Sequence, residues 1–177
     1  MILVDAVYIN NGGGLVLLEY LVGFFEKKSL DIFYLFDRRV EDNFKHIGLS
    51  KKKFISNSIL ERHFFYKKNS LSFDSVLCFG NLPPTIQLKA KVLVYFHQKL
   101  FLHIPNEYSI KNKIFYFFKQ NILNLIKNNA DFWLVQSEIV RKEFSKKYLN
   151  GNLSNLIIFP FYPELNFSHY NVSRENY

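Results

Sequence analysis

The sequence has one cysteine and no apolar run approaching the roughly 18 to 20 residues of a membrane span. Cys78, inside the apolar SVLCF, can form no intrachain disulfide and reads as a small buried hydrophobe of a reducing compartment. No basic region precedes the first apolar segment, and Asp5 interrupts it. Both features argue against a secretory signal and lead us to expect a cytoplasmic, non-spanning protein. Metal-ligand spacing is missing: the five histidines form no HExxH and the cysteine no CxxC, so no metal is expected. Carboxylates are sparse at the expected strand ends, which argues against a paired-carboxylate hydrolase. No glycine elbow surrounds Ser137, which argues against a Ser–His hydrolase. Acidic residues are outnumbered 15 to 23, giving a net charge of +8. That excess suits nucleic acid, an anionic membrane surface or a phosphate-bearing small molecule, and equally a genome biased toward Lys, Asn, Phe and Ile. No recognition-helix, RNP or zinc signature supports nucleic acid, so none is expected as a partner.

The 177 residues, 49% of them hydrophobic, suffice for one domain with a real core. The chain is organised around ILVDAVYINNGGG, Ile2 to Gly14. Its aliphatic start, bounded by turn residues, reads as a strand buried on both sheet faces. Gly12, Gly13 and Gly14 follow Asn10 and Asn11, and a buried helix is expected over Leu15 to Lys28 with Leu15, Leu18, Leu21, Val22 and Phe25 on one stripe. Further strands are expected at Leu30 to Phe36, Ser75 to Phe79, Lys91 to Phe96, Asp131 to Val135 and Leu156 to Phe159, with a possible short strand at Phe54 and Ile55. Asn57 or Ser58 caps a helix through Lys68 with Glu61 in a capping box. Another amphipathic helix spans Ile110 to Asn129, with Ile114, Phe117, Phe118, Ile122, Leu125 and Ile126 on one face, and a last one spans Glu138 to Tyr148. Strands alternating with helices imply right-handed crossovers and an α/β fold: a Rossmann-like three-layer α/β/α domain with a mostly parallel sheet. It is expected to occupy residues 1–162, with 163–177 as a polar linker or tail.

In an open parallel sheet, ligands bind beyond the carboxyl ends of the strands. Asn10 to Gly14, Gly80 to Pro84 (Asn81 among them), His97-Gln98 and Gln136 to Glu138 all fall there, on one edge of the sheet. Glycines let a backbone approach a ligand, and a helix start presents free N–H groups to an anion; a plain tight turn is the alternative. The triplet is neither a P-loop nor the GxGxxG fingerprint. His97 is the most reactive candidate, as hydrogen-bond partner or proton shuttle, against a surface histidine bonded to a nearby loop. His103 reads as structural. Ser137 reads first as a helix N-cap, although the same helix start can receive an anion.

Taken together, NNGGG, FGNLPP, VYFHQ and DFWLVQSEIVRKEF resemble the N-terminal domain of bacterial retaining glycosyltransferases of the GT-B fold, which build capsular or lipopolysaccharide sugars. The resemblance runs from about Ile2 to Pro163. It implies transfer of a sugar from a nucleotide-sugar donor to a glycan or lipid-linked acceptor, without a bound metal or other cofactor. In such enzymes this domain mainly holds the acceptor. The glycine loop, here Asn11 with Gly12, Gly13 and Gly14, approaches the donor diphosphate. A histidine or polar residue after the middle strand faces sugar and acceptor, which His97 and Gln98 match, and Ser137 and Glu138 match the Ser-Glu that opens the late helix. Family members carry a second, nucleotide-binding domain, and this sequence ends where that domain is expected to begin. The chain is therefore expected to be inactive without that domain or a partner chain. A non-catalytic partner or membrane-docking subunit of a two-chain transferase is the alternative. Lys51 to Lys53, Phe64 to Lys68 and Lys113 to Lys119 are the segments suited to rest on an anionic inner leaflet, as a peripheral contact, against the plainer reading of a solvated basic face.

Overall fold

Each run read from the sequence as a strand forms one, and every strand lies parallel to its neighbours in the computed structural model, which describes residues 1–162. The strands are β1 (Ile2–Ala6), β2 (Ile32–Asp37), β3 (Lys52–Ile55), β4 (Ser75–Cys78), β5 (Lys91–Phe96), β6 (Phe132–Val135) and β7 (Leu156–Ile158). The order across the 7-stranded sheet is β3-β2-β1-β4-β5-β6-β7. Ile2 is in register with Ile32 on one side and Ser75 on the other, so the chain winds outward from β1 first one way and then the other. That reversal opens a crevice between the carboxyl ends of β1 and β4. The expected tail, 163–177, lies outside the described residues.

The helices are α1 (Gly12–Lys27), α2 (Ile59–Asn69), α3 (Ile110–Ile126) and α4 (Glu138–Tyr148). Strand alternation divides the core in two. Val4, Ala6, Tyr34, Phe36, Phe79 and Tyr95 face α1, which covers them with Leu18, Leu21 and Val22. Leu3, Val76, Val94, Phe96 and Trp133 face the other way, under Phe65 and Tyr66 of α2, Leu123 of α3 and Phe144 of α4. The result is the expected three-layer α/β/α architecture. Serine caps start three of the helices: Ser58, Ser109 and Ser137 accept the N–H of Glu61, Asn112 and Val140 at 3.4 Å. At the other end of α4, Asn150 and Gly151 take left-handed conformations (φ 52° and 85°).

Three local expectations change. α1 begins at Gly12, not Leu15, so the glycines form its first turn rather than a loop before it. The polar stretch after β2 folds as three 3-10 turns, Arg38–Val40, Asp42–Phe44 and Leu49–Lys51, leading into β3. Asp37 starts the first turn by accepting the N–H of Arg39 while Arg39 forks onto both its oxygens at 2.9 and 2.7 Å. The third change concerns α3. Of its expected stripe, Ile114, Phe117, Phe118 and Leu125 point away from the sheet, whereas Ile122 and Ile126 are half-buried, Ile126 against the core; Leu123 is the one fully buried residue of the helix.

A buried ion pair fixes the crevice. Asp5, one residue before the end of β1, accepts from Arg62 Nε of α2 at 2.7 Å, from the Tyr66 hydroxyl, and from the Val7 N–H at 3.1 Å. The Arg62 guanidinium also donates to the carbonyls of Leu82 and Pro83 at 2.8 Å, anchoring the loop after β4. Both charges are buried, yet each is hydrogen-bonded on several sides, the condition under which such a pair is tolerated in a core. Cys78 packs beside this cluster, and burial, with the Asp5 carboxylate, pushes its thiol up to about 12. It is an inert thiol.

Candidate binding clefts at the sheet edge

Three strand ends are tied together at the switch point. Beyond β4, Gly80 passes so close to β1 that a Cβ there would stand 2.3 Å from the Val7 carbonyl oxygen, so only glycine fits. Asn81 follows, buried and in the left-handed region (φ 67°). This conformation suits a short polar side chain. Its Oδ1 accepts the backbone N–H of His97 at 2.8 Å and of Gln98 at 3.0 Å, fastening the end of β5 to the end of β4.

His97 and Gln98 continue the alternation of β5 and point to opposite faces of the sheet. His97 follows Tyr95 toward α1. Its ring lies beside Phe79 and Tyr95, with centroids 5.7 and 5.5 Å away, and its Nε2 faces Gly14, 3.6 Å from where a Cβ would stand. Its Nδ1 is buried and lacks a well-formed hydrogen bond. Burial pushes the imidazole down to about 4, against the weaker opposing effect of the Tyr95 backbone carbonyl. The ring is therefore neutral at physiological pH. It can donate from one nitrogen and accept at the other, but it is a weak base.

Gly13, Gly14, Val16 and Leu17 of α1, His97 and Gln136 line a cavity of about 470 Å³. Gln136 Nε2 donates to the Tyr95 hydroxyl at 3.2 Å. Just before Gly13 in the chain, Gly12 takes φ 58° and the Asn11 side chain makes no capping bond, so the cap residue's side chain does not occupy the first N–H groups of α1. A helix start of this kind attracts an anion. The opposite wall, formed by a neutral imidazole and a carboxamide, suits hydroxyl groups.

Gln98 and Asn81 line a second cleft, of about 280 Å³, on the α2–α3 side of the sheet. Its walls include Ile59, Leu82, Phe101, Phe115, Phe118 and Ile122, and its polar groups include Tyr8, Asn57 and Lys119. The Tyr8 hydroxyl is buried without a partner, and Tyr8 itself has φ 84°. Burial, with Arg39 nearby, lowers the Lys119 ammonium below its usual range.

The candidate residues thus divide. Gly13, Gly14 and His97 meet in the first cavity, Asn81 and Gln98 meet in the second, and Asn11 and Gly12 precede the first in the chain without lining it. Ser137 caps α4, and Glu138 pairs with Arg141 at 3.4 Å and Lys142 at 4.0 Å; neither lines either cleft. His103 is an exposed side chain 3.7 Å from Glu143 rather than a structural one. Tyr8, Lys119 and the Asp5–Arg62 pair escaped sequence reasoning. Tyr8 and Asp5 stood inside an apolar run, and nothing local distinguished Lys119 from its neighbours. Comparison with models of protein families, with curated proteins and with solved structures finds no match.

Proposed function

We propose that this chain is the acceptor-side half of a glycosyltransferase, moving a sugar from a nucleotide-sugar donor to a glycan or lipid-linked acceptor of a cell-surface polysaccharide. One observation carries the reading: Gly13 and Gly14 in the uncapped first turn of α1 and the neutral, largely buried His97 line one cavity at the carboxyl edge of a parallel sheet. An anionic diphosphate and a polyhydroxylated ring are complementary to those two walls. The likeness of NNGGG, FGNLPP, VYFHQ and DFWLVQSEIVRKEF to the N-terminal domain of retaining enzymes supports the same reading. In it, Gly13 and Gly14 let the diphosphate approach, and His97 and Gln136 orient sugar hydroxyls. Asn81 holds His97 in place through the backbone, and the second cleft, with Tyr8, Gln98 and Lys119, receives the acceptor. The low basicity of His97 suits orientation better than proton abstraction.

The test is transferase activity of this chain expressed with whatever its gene encodes beyond Tyr177, against a panel of nucleotide sugars and a lipid extract. The expected result is consumption of one nucleotide sugar, reduced at least tenfold by His97→Ala in a variant that still unfolds cooperatively above the assay temperature. Consumption of none, or full activity in the variant, overturns the assignment.

A further inference from the structure

Helix α3 is built inside out. At 100° per residue, Ile110, Ile114, Phe117, Phe118, Asn121 and Leu125 fall on one arc of roughly 100°. In an ordinary surface helix that arc would be pressed against the core. Here it faces outward: Ile110 is 77% exposed, Ile114 51%, Phe117 59%, Phe118 62% and Leu125 81%. The helix is held to the domain from its opposite side, by the buried Leu123 and by Gln120, whose Nε2 donates to the Leu100 carbonyl at 3.0 Å. A groove of about 370 Å³ between Ile104, Asn106, Lys113, Ile114 and Phe117 extends the apolar face toward the preceding segment.

The charges beside this face have one sign. From Lys99 to Lys127 the chain carries Lys99, Lys111, Lys113, Lys119 and Lys127 against the single carboxylate Glu107. Lys111 and Lys113 fall on the two edges of the apolar arc. By contrast, the other basic segments expected at a membrane are partly engaged within the fold. Lys52 Nζ donates to the carbonyls of Phe44 and Lys45, and Lys51 stands 3.6 Å from Glu26.

We propose that the outward face of α3 docks on an anionic lipid surface, the helix lying in the plane of the interface. Phe117, Phe118, Ile114, Ile110 and Leu125 enter the acyl boundary, and Lys111 and Lys113 meet the lipid phosphates. An apolar face of this composition, flanked by lysines, is what an interfacial helix requires. A second copy of the chain fits the face worse, because α3 carries no carboxylate and a copy of the same face brings nothing acidic to meet Lys111 and Lys113. Among the described residues no helix is long and apolar enough to cross a membrane, so α3 lies on the bilayer rather than through it. This surface meets the second cleft only at Phe118, and the proposal does not rest on the transferase reading.

Co-sedimentation of the full chain with vesicles tests it. The two lipids are pure phosphatidylcholine and phosphatidylcholine with about a third phosphatidylglycerol. We expect binding to the anionic vesicles, at least tenfold weaker binding to the neutral ones, and release at high salt. Because the altered side chains are exposed, Phe117→Ser/Leu125→Ser should keep the wild-type melting temperature and lose at least tenfold in vesicle binding. Lys111→Glu/Lys113→Glu should do the same. Failure to bind anionic vesicles overturns the proposal, as does unchanged binding by both variants. A dimer in solution that the serine variant dissociates, without vesicle binding by the wild type, overturns it in favour of a second copy.

Discussion

A single side-chain oxygen of Asn81 accepts the backbone N–H groups of both His97 and Gln98, at 2.8 and 3.0 Å, and so sets the direction in which the two residues leave β5. Asn81→Ala removes that acceptor and places a less tolerant residue at φ 67°. We expect a loss of roughly 2–4 kcal/mol. Asn81→Gly relieves the backbone but not the orphaned donors, so a smaller loss of roughly 1–3 kcal/mol is expected. Urea unfolding of both variants checks the order. If both are neutral, the carboxamide is not what joins the two strand ends.

The glycines separate by the same measurement. Gly80→Ala drives a Cβ to 2.3 Å from the Val7 carbonyl oxygen, which backbone must yield to, and should destabilise by roughly 2 kcal/mol or more. Gly13→Ala meets nothing within 4 Å in the first turn of α1. It should be neutral or stabilise by roughly 0.5–1 kcal/mol. Under the proposed function it should nevertheless reduce transferase activity, because the methyl group enters the first cavity.

Arg62→Met leaves the Asp5 carboxylate buried with its main partner gone. A loss of roughly 3–5 kcal/mol is expected. The double variant Asp5→Leu/Arg62→Met removes both charges and should lose clearly less than the sum of the two single changes. Strict additivity in a denaturation cycle would show that the pair does not act as a unit.

The His97 imidazole titrates near 4 in the fold against 6.5 in an unfolded chain, so below about pH 6.5 the unfolded state binds the proton first. The associated stability is fully present above that pH and is lost as the pH falls toward 4. Between pH 7 and pH 5 the loss amounts to roughly 2 kcal/mol. His97→Asn should flatten that part of the stability–pH profile. An unchanged slope in the variant would mean that His97 is protonated in the fold near its ordinary pH.

Much of the architecture is legible in local sequence because it follows from local physics. Runs such as LDIFYLF and KVLVYF, closed by charged or turn residues, read as strands buried on both faces, and Ser58 and Ser137 mark helix starts by their own chemistry. Alternation of strand and helix then forces parallel crossovers, and with them a common edge for Gly12–Gly14, Asn81, His97 and Gln98. Tertiary structure decided what one-dimensional pattern leaves open. Whether adjacent His97 and Gln98 share a cleft depends on which helices cover each face of β5, and α1 and α3 cover opposite ones. Periodicity likewise reveals the apolar stripe of α3 but not its direction, since a 3.6-residue repeat looks the same whether it meets a core or a lipid surface. The partner of Asp5 lies 57 residues away, and no local signal reaches across that distance. Sequence alone determined the elements and their shared edge; packing determined the two clefts, the ion pair that fixes them and the outward face of α3.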